Sequence, residues 1–200
     1  MEPVIHSEEA CVNSELEGYQ DQLLSINQDA PGIVAGLSND QFNWRPGSDR
    51  WSIAECLGHL NIAARLFMPT FDEAIARGRR RGMTAGGPFA YPLLQRSFVR
   101  LMEPPPVIRV RTPGAFAPVY GATSVTVMTD FFAWQAEFLE RLKSADGLDL
   151  RRIRARSPVL PWLRYGLGIA FAAYLAHQRR HLWQARQVRL VVGRWSKLEL

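Results

Sequence analysis

Four long stretches of this 200-residue chain place apolar residues at helical spacing, and segments rich in Pro and Gly separate them. Apolar positions that recur every three or four residues form one stripe of a helix, and a folded chain buries such a stripe against another element. The sequence therefore predicts an all-α fold built from four packed helices. The four stretches cover residues 14–30, 52–76, 124–144 and 158–189.

Two of the expected helix starts carry the S-x-x-E pattern of a capping box. Ser14 is followed by Glu17, and Ser52 is followed by Glu55. In this motif the hydroxyl and the carboxylate each accept a hydrogen bond from a backbone N–H that the helix leaves unpaired. We therefore expect the first helix to open at residue 14 and the second at residue 52.

Proline and glycine mark the remaining breaks in the pattern. Pro31 is expected to interrupt the first helix, Pro69 to kink or shorten the second, and Pro158 to open the fourth. Residues 78–121 are rich in both residue types and predict a long crossover between the second and third helices, with one short helix at residues 93–101. Long ordered loops of this kind are often part of a site.

The composition, with 47% hydrophobic and 22% charged residues, is that of one globular domain. We expect a single domain over residues 1–200, with residues 1–13 as a flexible N-terminal segment. The longest apolar run, residues 166–176, is shorter than the roughly 20 residues that cross a bilayer, so no membrane partner is expected. No secretory leader pattern opens the chain, and its two cysteines suit a reducing compartment, which predicts a cytoplasmic protein.

The formal net charge of +5 comes largely from arginine, clustered at residues 79–81, at residues 151–156 and along the last helix. Such clusters can bind phosphate groups. No stacking aromatic residues are interleaved with them, and they do not follow a recognition-helix pattern. The sequence therefore predicts no nucleic-acid partner, and it leaves open either a solvated surface or a small anionic ligand.

Three of the four histidines can meet at one point. His177 and His181 stand four residues apart on the inward stripe of the fourth helix, so their rings lie one above the other. His59 lies about two turns into the second helix. If these helices are antiparallel neighbours, the start of one is level with the end of the other. Three imidazole ligands with one open position would form a catalytic zinc-type site, whereas the alternative is a set of hydrogen-bonded core histidines.

Glu55 and Gln184 are the candidate catalytic residues beside this site. Glu55 precedes His59 by four residues, where it either completes the capping box or orients His59 and accepts a proton. Gln184 follows His181 by three residues and either holds a metal-bound water or substrate or caps a polar pocket. Cys56 is either a small packed hydrophobe or a soft metal ligand.

Three sequence blocks resemble the DinB-like superfamily of small bacterial four-helix proteins. They are R-W-S-I-A-E-C-L-G-H-L at residues 50–60, V-I-R-V-R-T-P-G-A-F-A-P at residues 107–118 and H-Q-R-R-H-L-W-Q-A-R at residues 177–186. The resemblance implies an up-down-down-up four-helix bundle, in which the parallel second and third helices require the long crossover. It also implies a divalent metal ion, nickel or zinc, held by three histidines that match His59, His177 and His181.

The resemblance further implies an activity. Relatives include thiol-dependent transferases and isomerases that act with a low-molecular-weight thiol such as mycothiol or bacillithiol, and they often form dimers. We therefore expect a metal-dependent S-transferase or isomerase with a small-molecule substrate, assembled as a homodimer. Gln178 departs from the family pattern, because many relatives carry an acidic residue there, and this removes support for a proton relay through that position.

Two other functions fit the same residues. A metal-dependent hydrolase would use the ion to activate a water, with Glu55 or Gln184 positioning it. A non-catalytic, stress-related protein would use a metal only to stabilise the bundle. Consumption of a thiol would indicate the transferase and not the hydrolase. A metal ion accessible to small molecules would indicate either enzyme and not the non-catalytic protein.

Overall fold

The computed structural model describes residues 13–106, 112–118 and 126–195. This part of the chain is mostly helical, as predicted, with one short 3₁₀ helix and one two-stranded antiparallel sheet. The elements are α1 (Ser14–Val34), α2 (Asn39–Asn43), α3 (Ile53–Arg80), α4 (Leu93–Met102), the 3₁₀ helix (Gly114–Phe116), α5 (Thr126–Ser144), β1 (Arg154–Arg156), β2 (Arg164–Gly166) and α6 (Leu167–Trp195). The expected start of the third helix at residue 124 lies outside the described residues, as do residues 1–12 of the expected flexible segment 1–13.

The predicted capping box at the start of α3 is confirmed. Ser52 is the N-cap, its hydroxyl accepts from Glu55 N at 3.1 Å, and Glu55 Oε2 accepts from Ser52 N at 2.9 Å. The corresponding prediction for α1 is wrong. Asn13 is the N-cap of α1, and its side-chain oxygen accepts from Glu15 N. Asn13 therefore has the capping role that was expected for Ser14.

The expected break at Pro31 is also wrong, because α1 continues to Val34. Pro31 lies in the last turn of the helix, where its fixed φ is compatible with helical geometry and only one backbone hydrogen bond is lost. Pro69 likewise lies inside α3, which extends to Arg80 rather than to residue 76. The extensive burial of α3 outweighs the missing hydrogen bond at this proline.

A β-hairpin occupies the place where the fourth helix was expected to begin. Strand β1 pairs with β2, and the helix starts only at Leu167. The hydroxyl of Ser157 accepts from the amides of Val159 and Leu160, which stabilises a turn directly after β1. Pro158 therefore lies in a turn of the hairpin and not at the start of a helix.

The four long helices pack side by side. Each of α1 and α3 contacts both α5 and α6. Near the starts of α3 and α5, Asn61 Nδ2 donates to Val127 O at 2.9 Å, and near their ends Arg79 Nη2 donates to Ser144 O. The starts of these two helices therefore lie together, as do their ends. The core between the helices contains large fully buried side chains, among them Leu16, Leu23, Leu57, Met68, Phe71, Phe131, Phe138, Phe171 and Tyr174.

Hydrogen bonds and packing contacts hold the crossover against the helices. Tyr91 donates a hydrogen bond to Glu15 of α1, and helix α4 packs against α6. The 3₁₀ helix contacts α3 and buries Phe116. Among the described helices, none has both the length and the apolar character needed to cross a membrane.

Candidate metal centre

His59 lies in the second turn of α3 and is buried, with 2% of its surface exposed. Its Nδ1 lies 2.7 Å from the backbone oxygen of Phe116. A carbonyl oxygen can only accept, so the neutral ring carries its proton on Nδ1 and presents the lone pair of Nε2. The crossover therefore fixes which nitrogen of His59 is available to a ligand.

His177 and His181 project from the same face of α6 toward His59. The Nε2 atoms of His59 and His177 are 3.0 Å apart, and His181 lies with its ring centroid 4.3 Å from that of His59 and 4.6 Å from that of His177. One ligand nitrogen from each of the three rings lies within 4.8 Å of the other two. The rings therefore share one layer, as the spacing predicted.

Gln184 holds the ring of His181. Its Oε1 lies 3.2 Å from His181 Nδ1, an arrangement in which the amide oxygen accepts a proton held on Nδ1. This contact leaves Nε2 of His181 with its lone pair, as the Phe116 carbonyl does for His59. Metal-binding histidines are oriented by outer partners in this way. Gln184 therefore contacts a candidate ligand, and its predicted contact to water or substrate stays a prediction.

Burial lowers the pKa of all three imidazoles. The pKa of His177 falls to about 3, through burial first and then through the nearby charges of His59 and Arg180. The pKa of His181 lies well below its usual value for the same kinds of cause, and that of His59 is lowered although the Phe116 carbonyl opposes the shift. The neutral ring is the form that binds a metal, so three neutral imidazoles with converging nitrogens fit a divalent ion.

Trp51 covers part of the cluster. Its ring stacks on His181 with a centroid distance of 5.6 Å and an interplanar angle of 28°, and it lies 4.9 Å from the ring of His59. His177 is less buried than His59 and His181. The ring of Trp51 therefore covers one side of the cluster, and His177 is the most exposed of the three imidazoles.

Both carboxylate oxygens of Glu55 accept hydrogen bonds at the start of α3. Its Oε2 accepts from Ser52 N and from Arg45 Nε, and its Oε1 accepts from Arg45 Nη2. Burial alone would raise the pKa of Glu55, but the hydrogen bonds from Arg45 and Ser52 and the charge of Arg45 outweigh burial and lower it. The structure supports the capping role, and the catalytic role of Glu55 remains a prediction.

Cys56 is fully buried, and burial raises the pKa of its thiol. The described residues that could jointly hold one ion are the three histidines, without Cys56 or a carboxylate. Packing is therefore the interpretation that the structure favours for this cysteine.

Comparison with known proteins identifies the family. The model of the DinB superfamily matches residues 22–185. The chain belongs to the DinB superfamily. The matched range contains all three histidines of the cluster and most of α1 and α6. Comparison with the curated proteins and with the solved structures gives no match.

Gln178 is the residue at which the resemblance implied an acidic side chain. It is buried, and its Oε1 accepts from Gln135 Nε2 of α5 at 2.6 Å, while no described residue pairs with its Nε2. An amide here can bond to Gln135 without placing a charge in the core, whereas a carboxylate could be ionised. Gln178 therefore joins α6 to α5 next to His177.

Two residues of the site were not identified from sequence. Phe116 acts through its backbone oxygen, for which side-chain type gives no signal, although it lies in one of the blocks that carry the DinB resemblance. Trp51 carried no prediction of a role at the site, although its position beside Ser52, two turns before His59, could have suggested contact with the imidazoles.

Proposed function

We propose that this DinB protein binds one divalent metal ion, nickel or zinc, through His59, His177 and His181. The observation that carries the proposal is the convergence of three neutral imidazoles, with a carbonyl and an amide oxygen holding the outer nitrogens of two of them. Oriented imidazoles of this kind suit zinc, nickel and other first-row ions.

The same proposal includes the family topology, an up-down-down-up four-helix bundle as a single domain. Tyr19 near the start of α1 donates to Gly168 O at the start of α6, and Arg189 near the end of α6 donates to Ile33 O near the end of α1. These contacts support parallel α1 and α6.

Gly78 near the end of α3 lies against Ile153, whose backbone oxygen accepts from Leu167 N at the start of α6. His59 near the start of α3 meets His177, which lies farther along α6. These contacts support a bundle in which α3 runs opposite to α6.

We propose a thiol S-transferase or isomerase activity at this site. When bound, a divalent ion supplies a Lewis acid that lowers the pKa of a thiol from about 8.5 and holds the thiolate in place. Trp51 and Phe116 supply apolar surroundings, which suit a soft sulfur nucleophile, and the three imidazoles fix its position. The acceptor would be a small electrophilic molecule.

In the hydrolase alternative, Glu55 or Gln184 would position a water on the ion. Both carboxylate oxygens of Glu55 already accept hydrogen bonds at the helix cap, and the side-chain oxygen of Gln184 already lies against His181 Nδ1. These contacts favour the thiol reaction over hydrolysis. The proposal also includes a cytoplasmic homodimer that acts on a small molecule and has neither a nucleic-acid nor a membrane partner.

Two measurements test the proposal in sequence. Elemental analysis of the purified protein, beside a variant carrying His59→Ala, His177→Ala and His181→Ala, should find about one nickel or zinc per chain only in the parent protein. The metal-loaded protein should then consume mycothiol or bacillithiol in the presence of a reactive electrophile such as chlorodinitrobenzene. Metal binding without thiol consumption would support the metal site and contradict the transferase activity. Absence of metal binding would contradict both proposals.

A further inference from the structure

A cleft of about 730 Å³ lies between the crossover and the hairpin, far from the histidines. Three arginines, Arg151, Arg152 and Arg154, line it together with Met83 just beyond α3 and with Pro92 and Gln95 at the start of α4. His59 and Arg80 are separated by 21 residues of one helix, or roughly 30 Å at 1.5 Å per residue. The cleft is therefore a feature separate from the proposed metal centre.

The arginines of the cleft lack acidic partners within the described part of the chain. No described carboxylate forms an ion pair with Arg151, Arg152 or Arg154. The nearby Asp149 accepts through Oδ1 from the backbone amides of Arg151 and Arg152, which holds the turn that carries both side chains. Three like charges that share one cleft repel one another unless an anion lies between them.

One arginine of the cleft is held in place. Arg154 Nη2 donates to the backbone oxygen of Arg164 at 2.6 Å, across the β-hairpin. This contact uses one of the five N–H donors of a guanidinium, so the others stay available to a ligand. A planar guanidinium fixed in this way suits two-point contact with phosphate oxygens.

The start of α4 completes the cleft with neutral groups. Pro92 is the N-cap of α4, and no side chain caps this end. The side-chain oxygen of Gln95 is buried and has no hydrogen-bond partner among the described residues. Rotation about the last side-chain torsion of Gln95 exchanges the two ends of its amide, so its NH₂ group can donate to a ligand. Met83 and Pro92 add an apolar surface beside the charges.

We propose that this arginine cleft is a binding site for a small molecule that carries phosphate groups. Guanidinium groups without acidic partners supply the charge, and the volume of the cleft accommodates a ligand of the size of a phosphorylated metabolite. The apolar lining would contact the rest of the molecule. This site is independent of the three histidines and of the proposed transferase reaction.

Isothermal titration with sodium pyrophosphate at 50 mM and 300 mM NaCl tests the proposal. The parent protein should bind one pyrophosphate per chain, more weakly at the higher salt concentration. The double variant Arg151→Ala, Arg152→Ala should bind at least tenfold more weakly, and Gln95→Glu should weaken binding as well because it adds a negative charge to the cleft. The triple histidine variant should bind pyrophosphate like the parent protein, which excludes binding through a metal.

The matched control is the double variant Arg50→Ala, Arg65→Ala, which removes the same charge from two exposed arginines outside the cleft. It should change the affinity less than twofold. An equal loss in both double variants would show a general charge effect and overturn the proposal, as would absence of binding by the parent protein at 1 mM pyrophosphate. Binding of duplex DNA or of phosphatidylglycerol vesicles that pyrophosphate does not displace would also overturn it.

Discussion

Two largely buried polar clusters lie along α6, and they differ in how their hydrogen bonds are completed. In the tyrosine cluster, Glu15 accepts from the hydroxyls of both Tyr19 and Tyr91, and Tyr19 also donates to Gly168 O. In the histidine cluster, outer contacts hold Nδ1 of His59 and His181, while the inner nitrogens face one another. The hydrogen bonds of the tyrosine cluster are complete within the chain, whereas the three inner nitrogens of the histidine cluster could hold a cation.

This difference separates a structural role from a functional one. Burial and the adjacent Glu15 raise the pKa of both Tyr19 and Tyr91, so the hydroxyls stay protonated and serve as donors. Burial lowers the pKa of the imidazoles, so they stay neutral and keep lone pairs that could bind a metal. Both clusters lie among packed helices. Only the histidine cluster brings three imidazole nitrogens to face one another.

The largest effect is expected from removal of one ligand. His59→Ala should weaken zinc binding by more than about a hundredfold, because loss of even an outer partner typically costs 10–100-fold. A competition titration against a zinc-binding dye measures the affinity. His6→Ala is the matched control, since His6 is the fourth histidine and lies outside the described residues; equal losses in both variants would contradict a specific site.

A smaller loss is expected when an outer partner is removed. Gln184→Ala leaves all three imidazoles in place but removes the oxygen that holds Nδ1 of His181. Zinc affinity should fall about 10–100-fold, while the melting temperature of the metal-free protein should stay nearly unchanged. An unchanged zinc affinity would show that Gln184 does not orient His181.

A substitution at Gly168 can disrupt the tyrosine cluster, because an added Cβ would collide with its side chains. A Cβ at Gly168 would lie 2.0 Å from Tyr91 Oη and 2.7 Å from Glu15 Oε1, so Gly168→Ala should displace both side chains and lower the free energy of unfolding by about 1–3 kcal/mol. Urea unfolding measures the change.

Gly18→Ala is the control for that substitution. Gly18 lies in α1 with no atom within 4 Å of an added Cβ, so alanine there should stabilise the protein by about 0.4–1 kcal/mol. If Gly168→Ala stabilised the protein equally, the close packing of the tyrosine cluster would be refuted.

The smallest effect is expected at the cap of α3, where it depends on pH. The pKa of Glu55 is lowered in the folded protein, so its ionised form stabilises the fold above the ordinary carboxyl pKa, and this contribution is lost as the pH falls through the lowered value. Glu55→Gln should therefore cost about 1–2 kcal/mol at pH 7 and much less near pH 2. Urea unfolding at both pH values checks this, and a constant difference would contradict the ionic role.

Much of the histidine cluster could be predicted because helical spacing alone places His177 and His181 on one face. The position of His59 also required the relative direction of two helices, which only the resemblance to the DinB-like superfamily implied. The contact to Phe116 could not be predicted, because a backbone oxygen is the same at every residue. The ion pair from Arg45 to Glu55 joins residues on either side of a loop, and residue spacing gives no measure of that distance.

The fold predictions failed where short-range turn chemistry competed with helical pattern. Pro158 was interpreted as a helix start, although the hydroxyl of Ser157 just before it holds a turn. Pro31 was interpreted as a break, although a proline in the last turn of a long helix costs little when the helix is buried. In both places the local environment of the proline, rather than its presence, determines the outcome.

X-ray absorption spectroscopy of the protein loaded with one equivalent of zinc tests the central claim most directly. Coordination by His59, His177 and His181 predicts three imidazole nitrogens at about 2.0–2.1 Å from the metal, with the remaining position taken by a water or another non-protein ligand. Fewer than three imidazole nitrogens, or a spectrum that is unchanged in the triple histidine variant, would contradict a metal site formed by these three rings.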